Sequence, residues 1–207
     1  MYGYVIEKQI GSDMLTDLGH ITSLVENINN VHHLLSSLFG VKDVEGWRSK
    51  YNILYYVEFK NGYRLHIKSD KEINEKEVLA NNFKIISKFD YDFRNGDVIN
   101  IDLLVAPFRK QNGENKRTYI QDENERLSWV KFKFEGRDNV CEVIDIKEGD
   151  MYKTYMCHDI KAKGETTLVG RNYRMKLKVN DATALKEVMC SGIGSEKNYG
   201  FGLTRVC

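Results

Sequence analysis

Apolar residues recur along this chain in two rhythms, one of strands and one of helices, and the alternation runs twice. Residues 2 to 10 are apolar and aromatic at the density of a strand. Residues 22 to 39 then place Leu24, Ile28, Val31, Leu35 and Leu38 at three- and four-residue steps, the mark of an amphipathic helix. Two strands follow, YNILYYVEF (51 to 59) and YRLHIKSD (63 to 70). They are joined through Lys60, Asn61 and Gly62, whose Asn-Gly step suits a tight hairpin because both residues tolerate positive φ. A short helix beginning near Asn74 and a strand over 83 to 89 complete a β-α-β-β-α-β series, the ferredoxin-like order.

A second series starts after Asn95-Gly96. Val98, Ile99, Ile101, Leu103 and Val105 mark a strand. Glu123 to Phe134 is helical, 140 to 146 and 151 to 158 read as separate strands, and Tyr173, Met175, Leu177 and Val179 alternate cleanly along 172 to 179. Asp181 is placed to cap a helix running through Met189, its carboxylate accepting from free amides of the first turn, and residues 201 to 206 close the unit. Pro107, the single proline, sits where it can end the pairing of the first strand. The fold class is therefore α+β, two tandem ferredoxin-like (RRM-like) domains over 1–92 and 93–207.

Composition limits the partners. Of 207 residues 42% are hydrophobic and 11% aromatic, enough for a core, while 31 basic and 30 acidic side chains leave a net charge of +1. Attraction to a polyanion must therefore come from local clustering of charge. The start of the chain lacks a basic region followed by an apolar core, and no run is long enough to span a bilayer, so a cytoplasmic location with no membrane association is expected.

Cys141, Cys157, Cys190 and Cys207 are scattered without CxxC pairing, and Cys157 with His158 would point to opposite faces of a strand. All four are read as reduced thiols, with no metal and no cofactor. HExxH, paired-carboxylate loops and Walker-type GK[ST] are missing, leaving metal-assisted and nucleotide hydrolysis without a motif.

Chemistry near neutral pH then falls to five histidines. His20 reads as a loop residue, His66 lies in a strand and His158 near the end of another. His32 and His33 share the first helix. At about 100° per residue, the stripe centred on Leu24, Val31 and Leu35 leaves His33 facing solvent and His32 at the stripe's edge. By position alone His32 fits a boundary residue as well as a proton carrier beside a groove.

The end of the chain is the densest signal. In GIGSEKNYGFGL, Gly192, Gly194, Gly200 and Gly202 punctuate a segment in which Lys197 offers mobile charge and Tyr199 and Phe201 offer flat faces. Glycines let successive amides converge on an anion, so a nucleic-acid phosphate is the natural ligand, although GFGL is also compatible with the mere start of a final strand.

This segment resembles the glycine-rich loop of the CRISPR-associated RAMP proteins, most closely the CasE family of CRISPR RNA endoribonucleases. Other stretches agree in order: VHHLLSSLFG (31 to 40) with that family's first helix, YRLHIKSD with its strand before Ser-Asp, and GDVINIDLLVAPFRK (96 to 110), NKR (115 to 117) and SWVKFKF (128 to 134) with its second half.

The resemblance implies that His32 is the general acid/base of a metal-independent cut in which the ribose 2′-hydroxyl attacks the adjacent phosphate, leaving a 2′,3′-cyclic phosphate. It implies RNA contacts from Arg109, Lys110, Lys116, Arg117, Lys161, Lys163, Arg171, Arg174, Lys197 and the four loop glycines. The implied partners are a CRISPR repeat RNA hairpin and the other subunits of a type I surveillance complex. Asn29 stands where family members often carry tyrosine, Ser37 where one carries lysine, and Ala106 and Leu104 replace an asparagine and an arginine. A repeat-binding subunit that does not cut, a general single-strand RNA-binding module and a purely structural subunit remain alternatives.

Overall fold

The computed structural model describes residues 2–11, 13–42, 44–59, 62–110, 117–136, 139–157 and 165–207, without the side chains of Lys110 and of residues 155–157 and 165–166. The chain divides into two compact units, Met1–Asp90 with Lys153–Leu168, and Tyr91–Tyr152 with Val169–Cys207.

In the first unit, β1 (Tyr2–Lys8), β2 (Leu54–Glu58), β3 (Arg64–Ser69) and β4 (Phe83–Phe89) form an antiparallel sheet in the order β2-β3-β1-β4. Helices α1 (Met14–Glu26), α2 (Ile28–Leu38), α3 (Trp47–Lys50) and α4 (Glu75–Ala80) fill the two crossovers. Val31, Leu35 and Leu38 of α2, Val78 of α4 and Ile6, Leu65 and Ile67 of the sheet are all essentially inaccessible, so the apolar stripe read from the sequence is the core face. Asn74 caps α4 as expected, accepting from the Lys76 amide at 3.0 Å. Glu58 pairs with Arg64 across the β2–β3 hairpin, although Lys60 and Asn61 of its turn lie outside the described residues.

The helix expected over 22 to 39 is two helices. Asn27 is extended (φ −139, ψ 111), its amide closes α1 on the Ser23 carbonyl, and its side chain accepts from the Asn29 amide at 3.0 Å to start α2. Residues 14 to 21, including His20, are helical and not loop. Leu15 is 81% exposed and Met14 and Leu18 are exposed too, so the first turns of α1 carry no buried stripe to read.

The other four-stranded sheet repeats the arrangement. Strands β5 (Val98–Val105), β8 (Cys141–Cys157), β9 (Glu165–Val179) and β10 (Thr204–Val206) take the order β10-β5-β9-β8, with α5 (Glu123–Glu135) and α6 (Ala182–Ser191) in the crossovers. A small hairpin of β6 (Phe108–Lys110) and β7 (Arg117–Tyr119) follows Pro107. Both units are ferredoxin-like, in agreement with the sequence. Asp122 and Asp181 cap α5 and α6 through the Glu125 and Ala184 amides at 2.8 and 2.9 Å.

Residues 141 to 157 form one continuous strand where two were expected. The Glu148-Gly149-Asp150 step resembles a turn, but the 17-residue β8 runs through it beside the 15-residue β9, with the Glu148 side chain bonded to Arg126 and Tyr173. Among the described residues no helix is long and apolar enough to cross a membrane, and Cys141, Cys190 and Cys207 are reduced thiols.

Candidate functional site

Two clusters carry chemistry, one in each unit. The first forms around His32. Helix α2 buries its Val31–Leu35 face, which leaves His32 half-buried at the edge and His33 exposed, as helix geometry required.

What the sequence reading missed is the group that His32 meets. Gly46, at φ +62, starts the short helix α3, and the Ile53 amide then donates to the Arg48 carbonyl at 2.9 Å, fixing Arg48 at the entrance to β2. The Arg48 guanidinium lies over the rings of Tyr55 (5.1 Å) and Trp47 (5.5 Å), and its Nη1 is 2.7 Å from His32 Nε2. The edge of the imidazole also faces the Tyr55 ring at 6.5 Å. Arg48 lies in the stretch 41 to 50, which offers neither helical nor strand periodicity, so no pattern singled it out.

On the neighbouring side of α2, His33 helps to line a cleft of about 310 Å³ with His20, Asn30, Ser37, Lys42 and Asn81. His33 therefore faces a polar recess as well as solvent. Burial, and then the charge of Lys8, hold the His20 imidazole below its ordinary pKa. The Ser37 hydroxyl donates to Glu77 Oε2 at 2.9 Å, so a carboxylate is held where one relative of the resembling family has a lysine. His66 is taken up by Glu58 at 2.9 Å, and His158 lies outside the described residues.

The second cluster is a cleft of about 350 Å³ in the second unit, lined in part by Phe108, Arg117, Trp129, Lys133, Gly192, Gly194 and Lys197. It brings together three cations, two aromatic faces and the first half of the glycine loop. Trp129 and Lys133 stand one turn apart on α5, with the Lys133 ammonium 4.7 Å from the Trp129 ring centre.

The loop is held closed by its own backbone. The Gly202 amide donates to Leu104 O at 2.7 Å and its carbonyl accepts from the Ile193 amide at 2.9 Å, and any side chain at Gly202 would run into Ile193 O at 2.5 Å. Gly194, at φ +84, passes close to Val105, where a Cβ would lie 2.9 Å from its Cγ2. Gly200 caps the 3₁₀ turn Lys197–Tyr199 and lies outside the cleft lining with Gly202.

Two expectations for this loop need correction. Lys197 is not mobile charge: its Nζ donates to the Ser191 carbonyl at 2.7 Å, and burial followed by Lys133 lowers its pKa. Phe201 is no stacking face, being fully buried against Tyr152. Phe108 and Trp129 hold the aromatic surface instead.

The remaining basic candidates are dispersed. Arg109 is exposed and paired with Glu125 at 3.0 Å, and Arg117 reaches Glu196 at 3.4 Å. Arg171 joins the Glu148 carboxylate at 3.1 Å, and Arg174 pairs with Asp102 directly across the β5–β9 ladder. Arg171 and Arg174 are three residues apart on one strand and so point to opposite faces. Lys116, Lys161 and Lys163 lie outside the described residues, as does the side chain of Lys110. Leu104 and Ala106 are buried and present no side chain to a ligand. Among the described residues no group of three His, Cys, Asp or Glu is placed to hold a metal ion.

The model of the family described as CRISPR associated protein matches residues 14–206. No curated protein sequence matches the chain. Among solved structures, a CRISPR endoribonuclease, Cse3, bound to a 19-nucleotide RNA superposes with a TM-score of 0.81 at 13% identity over the whole of both chains. Thermus thermophilus Cse3, bound to an RNA representing a pre-cleavage complex, gives 0.74 at 14% identity, again over both chains entirely. Cas6e from Escherichia coli K-12 gives 0.67 at 18% identity, covering all of this chain and 99% of its own. At these identities the likeness establishes the fold.

Proposed function

We propose that this chain, which belongs to the CRISPR-associated protein family, is a metal-independent endoribonuclease of the CasE kind that cuts CRISPR repeat RNA and keeps the processed RNA within a surveillance complex. The observation that carries the proposal is the setting of His32. It is a half-buried imidazole at the edge of α2, in direct contact with a cation, at the position to which the resemblance assigns the general acid/base. The fold shared with RNA-bound Cse3 supports the same reading.

In this mechanism His32 takes the 2′-hydroxyl proton as the 2′-oxygen bonds to phosphorus, and returns it to the 5′-oxygen as the P–O5′ bond breaks. The products are a 2′,3′-cyclic phosphate and a free 5′-hydroxyl. An imidazole serves both steps because its unperturbed pKa lies close to the working pH. The second unit provides the grip on RNA. Arg117, Lys133 and Lys197 in the glycine-loop cleft meet phosphates, while Phe108 and Trp129 offer faces for bases.

Mass spectrometry of the cut repeat tests the proposal. A 5′ fragment ending in a 2′,3′-cyclic phosphate is expected, whereas a 3′-hydroxyl end contradicts it. A second reading, in which the protein binds the repeat without cutting, is favoured by Asn29 and by the Ser37–Glu77 hydrogen bond. These put an amide and a carboxylate where members of the resembling family carry a tyrosine and a lysine.

A further inference from the structure

The size and lining of the glycine-loop cleft indicate which part of an RNA it takes. Its volume of about 350 Å³ falls at the lower end of the ~300–1,000 Å³ common for small-ligand sites, the scale of one nucleotide. Its two rings call for a bare base. In a paired stem every base face is covered by its neighbours, whereas an unpaired base can lay a face on Trp129 or Phe108.

Both rings are held in place by the protein itself. Trp129 stands on α5 with the Lys133 ammonium 4.7 Å from its ring centre, and Phe108 on β6 forms a T-shaped pair at 5.8 Å with Tyr119, its cross-strand partner. Gly194 keeps the indole open. Its φ of +84 favours glycine, and a Cβ there would lie 3.5 Å from Cη2 of Trp129, so a side chain would cover the rim of that ring.

The charge of the cleft suits one phosphate. Lys197 donates to the Ser191 carbonyl at the end of α6, where it offsets the negative end of the helix, and its ammonium has two further N–H groups to offer. Burial, and then the charge of Lys133, lower its pKa, so an anion in the cleft relieves a repulsion already present. Glu196 meets Arg117 at 3.4 Å and offsets that cation.

We propose that this cleft is a single-nucleotide pocket, which takes one unpaired nucleotide of the repeat hairpin with its base on Trp129 and Phe108 and its phosphate at Lys197. The inference rests on the reading that the chain binds repeat RNA, and deepens it. A hairpin is then told from a plain duplex by a base it leaves unpaired.

The test places 2-aminopurine, a fluorescent base, at each unpaired position of the hairpin in turn, in RNA kept intact by a 2′-deoxy ribose upstream of the cut. Wild-type protein should quench one position, and Trp129→Ala should restore its fluorescence. Affinity for the hairpin should fall about 5- to 150-fold in Trp129→Ala, the range for losing one stacked base, while affinity for a blunt duplex of the same stem stays unchanged. Trp129→Phe, which keeps a ring, should retain part of the difference. Lys197→Gln should lower the log–log salt slope by about 0.7 for the hairpin and leave that of the duplex as it was. Equal losses on hairpin and duplex, or no position whose quenching depends on Trp129, overturn the proposal. Trp129-dependent binding of adenosine 5′-monophosphate, with no responsive position in the hairpin, gives the pocket to a free nucleotide and overturns its assignment to RNA. A wild-type protein that shows the Trp129-dependent position but leaves an all-ribose hairpin uncut overturns the endonuclease reading and supports the pocket, whereas cutting without such a position sinks the pocket alone.

Discussion

Arg126 and Glu148 face each other as a two-pronged ion pair inside the second unit, Nε to Oε2 at 2.7 Å and Nη2 to Oε1 at 2.6 Å, with both side chains about 95% shielded from solvent. The remaining Arg126 nitrogen donates to the Ile120 and Gln121 carbonyls, and the Tyr173 hydroxyl donates to Glu148 at 2.9 Å. Burial works against the Glu148 charge, yet Arg126 and Tyr173 hold its pKa below the usual carboxylate value. Burial, and then Glu148, push the Tyr173 phenol well up. Removing one member strands the other, so Glu148→Gln or Arg126→Met should each cost about 3–5 kcal/mol in urea unfolding, and the double replacement by apolar residues should cost less than the two single replacements combined. A Glu148→Gln protein as stable as wild type contradicts this.

Because Arg171 shares the Glu148 carboxylate, Arg171→Ala should lower stability as well as RNA affinity. Arg174→Ala, exposed and paired at the surface with Asp102, should leave the unfolding midpoint within experimental scatter. Equal thermal shifts in the two variants would show that the Glu148 cluster does not extend to Arg171.

Acid sensitivity follows from Asp17. The Gly11 amide, the Asn82 side chain and Lys8 all favour its charged form and bring its pKa to about 2, below the ordinary 3.8. A depressed carboxylate pKa gives stability that is present above the unfolded value and is lost as pH falls through the folded value. The contribution should therefore vanish between roughly pH 4 and pH 2. Asp17→Asn should flatten the dependence of the melting temperature on pH in that window. An unchanged slope would contradict the assignment.

The grip on RNA should be electrostatic and aromatic together. Replacing Arg109, Lys110, Lys116 and Arg117 by alanine should flatten the salt dependence of hairpin binding by about 0.7–0.9 in log–log slope for each phosphate that is no longer neutralised. Trp129→Ala should weaken binding by about 1–3 kcal/mol with no change in that slope, since base stacking releases no counterions. Filter binding across a salt series separates the two. A slope unaltered in the quadruple variant would place the β6–β7 hairpin away from RNA.

How much of this was written in the sequence depends on which physics wrote it. Alternating and three-four apolar patterns located the four strands of the first sheet, β5, β10, the second half of β9 and the core stripe of α2, because burial is periodic, but not β6, β7 or the start of β9. Asp181 and Asn74 marked helix starts because capping is local. The break at Asn27 was hidden, since an asparagine between two apolar turns reads as helix until its side chain is seen to cap the second one. The continuity of β8 through Gly149 was hidden because the Glu148-Gly149-Asp150 step has the residue types of a turn. At the site, His32 was legible as an edge residue and Gly192 and Gly194 as loop glycines. Arg48, Trp129 and Lys133 acquire meaning only from neighbours distant in sequence or on another face.

The 2′-hydroxyl mechanism carries its own signature. Cleavage should persist in excess EDTA and stop when the ribose just upstream of the scissile phosphate is 2′-deoxy, because that change removes the attacking oxygen and little else. Loss of cutting in EDTA, or a cut in the deoxy substrate, contradicts it.

The most direct test of the whole account is the single-turnover rate of repeat-hairpin cleavage by His32→Ala beside His33→Ala. His32 holds the contact with Arg48 and His33 lines the neighbouring recess. The account predicts a drop of about a hundredfold to ten-thousandfold for His32→Ala with hairpin binding retained, and a near-normal rate for His33→Ala. A His32→Ala protein that cuts as fast as wild type, or one in which only His33→Ala is inactive, would contradict it.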